Sequence, residues 1–199
     1  MGTISLSKDN ASADINVTTL SAGAGWKTGK TKVKKWGGVK IGGGKQKEID
    51  LDLTCVAEDQ DTDPVAVCYY GNTDTWDEGS LVHSGDNQDG IGSGDDETIN
   101  AFLTELPEYV SRLTFLVTAF KDGAKLSDVE TAHLKIYDGP NGNELIHIPL
   151  KLNVSGNAVA IADATRNADG SWTVRKLNEA RTISTDRDGM MNFAASLRR

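Results

Sequence analysis

The sequence predicts an all-β protein, a two-sheet β-sandwich of about ten short strands with a few short helical turns. Three observations carry that reading. Apolar residues alternate at period two, as in Asp14-Ile15-Asn16-Val17 and His133-Leu134-Lys135-Ile136-Tyr137. Turn clusters such as Lys121-Asp122-Gly123, Asp138-Gly139-Pro140-Asn141-Gly142 and Asn167-Ala168-Asp169-Gly170 recur every ~8–15 residues. Helical periodicity is nearly absent outside the tail, where Met190, Met191, Phe193, Ala194 and Leu197 fit one short helix near 188–197. The chain of 199 residues reads as a single domain over 1–199, with no internal repeat and enough length for a sizeable core.

Residues 3–26 read as short strands ending at Gly23-Ala24-Gly25-Trp26. The next segment ends in Gly29-Lys30-Thr31, spaced as in a phosphate-binding loop. Such a loop needs a helix directly after it, its N-terminus facing the phosphates. Here Lys32-Val33-Lys34-Lys35-Trp36-Gly37-Gly38 follows, which is β-like and Gly-rich, so nucleotide binding is set aside. The stretch 27–47 is a Lys/Gly-rich loop insertion in an acidic chain. It reads as a solvated hairpin or as a contact arm for an acidic partner.

Glu48 to Val56 is the clearest strand, with Ile49, Leu51 and Leu53 on one face and Asp50 and Asp52 on the other. Two carboxylates at alternate positions lie about 7 Å apart, within reach of one metal cluster. Asp59-Gln60-Asp61-Thr62-Asp63-Pro64 lacks the turn glycine and closing Glu of a calcium loop and reads as a plain turn. Val65 to Tyr70 has buried-strand length. Cys55 and Cys68 lie in apolar runs; two buried free thiols are the default, and a disulfide between neighbouring strands is the alternative. His83 reads as structural. Arg112 to Phe120 is a further strand, Leu126 to Val129 a short helical turn, and 131–150 and 158–174 are hairpins.

Chemistry concentrates in residues 85–97, Gly85-Asp86-Asn87-Gln88-Asp89-Gly90-Ile91-Gly92-Ser93-Gly94-Asp95-Asp96-Glu97, where no Lys or Arg balances the acids. Hard oxygens from carboxylate, amide and carbonyl suit Ca²⁺, which takes 6–8 of them. The register is not that of an EF-hand, because the sixth position counted from Asp86 is Ile91 instead of glycine. Strand-like flanks make this a calcium loop between two strands.

The same residues resemble the TerD family of bacterial tellurium-resistance and stress proteins. The mark is Gly85-Asp86-Asn87, then Gly90 and Gly92, then Gly94-Asp95-Asp96-Glu97-Thr98-Ile99. In order along the chain, Ile4-Ser5-Leu6-Ser7-Lys8, Gly23-Ala24-Gly25-Trp26, Asp50-Leu51-Asp52, Tyr69-Tyr70-Gly71-Asn72 and the hairpin from Val129 through Ile146 look like family segments. Departures are Asp89 for a loop Thr, Gly71 for the first Asn of a pair, and the long 27–47 stretch. The resemblance implies a β-sandwich binding calcium, usually two ions. Matching positions for ligands are Asp50, Asp52, Asp86, Asn87, Asp95, Asp96 and Glu97, with the carbonyls of Gly90 and Gly92 as additions. It implies no established catalytic chemistry.

Net charge is −8, which argues against nucleic acid as the main partner, since phosphate binding needs a basic face. No apolar run approaches the ~18 residues of a membrane span, and the first residues carry no signal pattern, so a cytoplasmic protein is expected. No Ser-His-Asp, His-Glu-x-x-His or paired glycosidase carboxylates stand out, so no catalytic residue is assigned. The expected function is a non-enzymatic calcium-binding β-sandwich acting as a scaffold or interaction module in bacterial stress response of the tellurite-resistance type. Protein partners are expected, with 27–47 as a candidate contact arm. The alternative is a structural or decoration subunit of a large assembly such as a phage or tail-like particle. A metal-dependent hydrolase ranks third, for want of an evident nucleophile.

Overall fold

Alternating apolar residues become the facing surfaces of two sheets. The computed structural model describes residues 2–6, 11–28, 34–36, 39–41, 50–76, 79–88, 94–119, 126–150, 152 and 154–197. The strands are β1 (Ile4–Ser5), β2 (Ser12–Ile15), β3 (Thr19–Thr28), β4 (Lys34–Trp36), β5 (Val39–Ile41), β6 (Leu51–Glu58), β7 (Pro64–Cys68) and β8 (Asp74–Thr75). They continue as β9 (Leu81–His83), β10 (Glu97–Phe102), β11 (Arg112–Ala119), β12 (Val129–Asp138), β13 (Glu144–Leu150), β14 (Ala158–Arg166) and β15 (Trp172–Arg181), before helix α1 (Arg187–Ala195). A 3₁₀ turn, Leu126–Asp128, precedes β12.

One sheet has seven strands in the order β1-β13-β12-β3-β10-β9-β8, the other six in the order β2-β15-β14-β11-β6-β7. A separate two-stranded ribbon, β4-β5, falls within 27–47. There are thus more strands than the ten or so read from the sequence, because two-residue strands such as β1 and β8 are too short to show a period. Of the short strands expected before Trp26, β1 and β2 are found, whereas β3 is one ten-residue strand running through Thr28. The Ala24–Thr28 part of the apparent phosphate loop is therefore strand, while Gly29, Lys30 and Thr31 lie outside the described residues. So do Gly90, Gly92 and most of the 27–47 stretch.

The main core lies between the sheets, with Leu20, Trp26, Ile99 and Leu134 on one side and Leu53, Phe115 and Trp172 on the other. A second cluster lies outside the six-stranded sheet, where Met190, Phe193 and Ala194 of α1 cover Val56, Leu116 and Ala160. This changes the reading of β6. Its residues divide between two faces as expected, but every residue from Leu51 to Glu58 is buried. The face bearing Asp52 is roofed by α1, and Thr54 Oγ1 lies 3.1 Å from Met190 Sδ.

Cys55 and Cys68 face each other across β6 and β7 as buried free thiols. The acidic turn at 59–63 closes on itself: Asp59 Oδ1 accepts from the backbone N–H groups of Asp61 (3.0 Å) and Asp63 (2.9 Å).

Candidate metal centre

β6 begins, β9 ends and β10 begins in one place, and the acidic residues gather there. Asp50 and Asp52 come from the start of β6 and Asp86 from the loop after β9. One carboxylate oxygen from each lies within 4.8 Å of the others. Asp86 is exposed, Asp50 half-buried, and Asp52 only 3% exposed. Among the described residues, Asp52 Oδ2 is buried without a hydrogen-bond partner. Burial first, then the charges of Glu97, Asp50 and Asp86, push the Asp52 carboxyl up to about 8.

Glu97 explains how the cluster is assembled. It is fully buried at the start of β10. Its Oε2 accepts from Leu53 N (2.7 Å) and its Oε1 from Asn87 N (3.1 Å), so one side chain ties β6 to the acidic loop. His83 closes the same knot. Gly85 N donates to its Nδ1 (2.9 Å), which places the ring proton on Nε2, 3.1 Å from Leu53 O and 3.3 Å from Glu97 Oε2.

Asp95 and Asp96 face different surroundings. Asp96 Oδ2 accepts from Trp26 N (2.8 Å), fixing the loop to β3. Asp95 Oδ1 lies 2.8 Å from His133 Nε2, and its Oδ2 accepts from the Tyr137 hydroxyl at 2.5 Å. Burial opposes ionisation of Asp95, but these two bonds together with the charges of His133 and Lys135 hold the carboxyl below its usual range. β3 makes room with glycine: a Cβ at Gly23 would stand 2.2 Å from Asp95 Oδ2, and one at Gly25 2.6 Å from the His133 ring.

Of the residues read from the sequence, Asp50, Asp52 and Asp86 converge, with Glu97 and Asn87 linked by a hydrogen bond beside them. Asp95 and Asp96 anchor to β12 and β3. Tyr70 also borders the cluster: burial, then the Asp52 charge, raises its phenol. Sequence reasoning assigned no role here to Tyr70, His133 or Tyr137. The signal for the last two was Gly23 and Gly25, alternate glycines in a strand, which mark a close approach. His83 is structural as read, and its link to Glu97 has no local signature.

Chemically, three clustered carboxylates offer hard oxygens, and the unpartnered Asp52 oxygen is the group a cation would satisfy. The donor set fits a divalent metal ion.

The fold and this cluster define a β-sandwich with an acidic site able to coordinate a metal. Residues 2–183 match the TerD domain, and the chain belongs to the TerD family. It is 36% identical over 180 residues to the "Tellurium resistance protein TerZ" of Serratia marcescens, covering 89% of this chain and 86% of that protein. It is 26% identical over 170 residues to the "Stress response protein SCP2" of Bacillus subtilis (strain 168), covering 82% and 83% respectively. The fold is similar to the crystal structure of a homologue of a telluride resistance protein (TerD) from Streptomyces coelicolor A3(2), with TM-score 0.65 and 20% identity, over 90% of this chain and 96% of that one. Among the described residues no helix is long and apolar enough to cross a membrane.

Proposed function

We propose that this chain is a non-enzymatic, calcium-binding scaffold of the stress-response type, whose partner-facing surface is set by metal occupancy. The observation that supports it best is Asp52: a buried carboxylate with an unpartnered oxygen, beside Asp50 and Asp86. A first Ca²⁺ on these three removes the charge conflict. A second ion would take donors from Asn87, Asp95, Asp96 and Glu97 and the carbonyls of Gly90 and Gly92. Asp95, Asp96 and Glu97 already accept hydrogen bonds, but a carboxylate has about four lone-pair sites and keeps capacity for metal. Names of relatives such as TerZ and SCP2 support the tellurite-resistance and stress context. The 27–47 stretch is the proposed contact arm for protein partners in the cytoplasm.

An ion that binds only the folded form raises its stability by mass action, about 2.7 kcal/mol at a hundredfold excess over Kd. Thermal melting in saturating Ca²⁺ and then in chelator tests the reading. The midpoint should rise with calcium and fall back with chelator, and Asp52→Asn should blunt the rise. Equal midpoints in both conditions for the parent protein would sink the proposal.

A further inference from the structure

The charges of this chain are unevenly divided. Residues 27–47 hold eight of its 21 Lys and Arg and no Asp or Glu, which leaves 13 bases against 29 acids elsewhere. A stretch of +8 is thus joined to a remainder of −16. Within that stretch β4 and β5 pair only with each other and with neither large sheet. Their register sets Lys35 opposite Lys40, Lys34 opposite Ile41 and Trp36 opposite Val39. Like charges directly opposite each other destabilise a strand pair, and an isolated two-stranded ribbon is marginal in water. A surface offering both acids and an apolar contact relieves both defects.

Among the described residues such a surface lies where α1 packs along β7, an edge strand of the six-stranded sheet. A groove of about 480 Å³ runs there. Pro64, Met191 and Ala195 give it an apolar lining, and Asp63 and Asp188 add carboxylates. Asp63 is exposed, and the Asp188 side chain is 85% exposed. Arg187 also lines the groove, 3.9 Å from Asp188. Asp61 and Asp186, exposed neighbours of these residues along the chain, keep the rim acidic on balance.

The basic stretch and the groove belong to opposite ends of β6. The stretch leaves β3 at Thr28 and rejoins the fold at Leu51, beside the acidic cluster. Asp63 lies in the turn after the far end of β6, Glu58. Strand rise over β6 puts those ends about 23 Å apart. A neighbouring copy meets that geometry without stretching the arm.

We propose that the 27–47 arm of one copy docks in the α1-β7 groove of a second copy. The contact is heterologous, arm to groove, so it repeats from copy to copy, in rings where the rotation closes and in open chains where it does not. It rests on the reading of 27–47 as a contact arm and not on calcium binding.

Sedimentation of the full chain at low and high salt, in Ca²⁺ and in chelator, tests the docking. Association should rise with protein concentration, weaken with salt and persist in both metal conditions. Asp63→Lys with Asp188→Lys, and separately Lys34→Ala, Lys35→Ala and Lys40→Ala together, should each weaken it roughly tenfold or more. A mixture of the two variants guards against misfolding, because one keeps an intact arm and the other an intact groove. Heterodimers should form at the parent's affinity and extend no further. A parent protein that stays monomeric at every concentration, groove variants that associate like the parent, or a mixture that stays monomeric would each overturn the docking. Arm variants that lose association while groove variants keep it would overturn the groove and leave the contact-arm reading standing. Association that calcium abolishes would move the arm to residues 85–97 of the neighbour and overturn the groove as well.

Discussion

At the scale of single residues, Asp52 carries the main conflict between burial and charge, and it makes stability depend on pH. Its folded carboxyl is raised to about 8, above the ordinary unfolded value. Between about pH 4 and 8 the folded form therefore holds a proton that the unfolded chain has released. Its contribution is fully present below the ordinary carboxylate range and is lost as pH rises through about 8. In chelator, the melting midpoint should fall as pH is raised from about 5 to 8.5, and Asp52→Asn should flatten that slope. Calcium should weaken the slope too, because metal takes the ionised form and releases the proton. Asp86 was legible as a candidate ligand because acids without balancing bases stand out in any sequence, and Asp50 and Asp52 because they alternate on one face of a clear strand. The bonds from His133 and Tyr137 to Asp95 were not, because those partners lie 38 and 42 residues away.

At the scale of elements, α1 shows what the sequence exposes and what it hides. Its start is local chemistry: Asp186 is the N-cap, and its side chain accepts from Gly189 N at 2.8 Å. Its apolar face, Met190, Phe193 and Ala194, follows helical spacing. What that face covers is not local. Thr54 and Met190 meet across 136 residues, so nothing near β6 announces that its second face is roofed. Phe193 is 2% exposed in the cluster that includes Val56 and Leu116. Phe193→Ala should cost about 3–5 kcal/mol in denaturant unfolding, whereas Asp186→Ala should cost about 1 kcal/mol. If the two losses were equal, the helix would be held by its cap and not by its packing. The hairpins β12-β13 and β14-β15 were readable because Gly and Asn in their turns separate alternating runs.

For the whole molecule, fold class was legible and strand order was not. Turn spacing and alternation fix a sandwich, yet β1 pairs with β13 and β2 with β15, partners far along the chain with no local mark of the pairing. The family resemblance anticipated an acidic site from spacing, while the knot of Glu97, His83 and Leu53 that positions it emerged from topology.

One consequence follows from the double covering of β6, which is flanked by β7 and β11 and enclosed above and below. Burial on both faces predicts that solvent deuterium reaches the backbone where β6 and β11 pair only when the sandwich as a whole unfolds. Amides in that pairing should be the last to exchange, at a rate that tracks global unfolding. Shedding the C-terminal helix in a truncated chain should hasten their exchange while that of the two-residue edge strands β1 and β8 stays as it was.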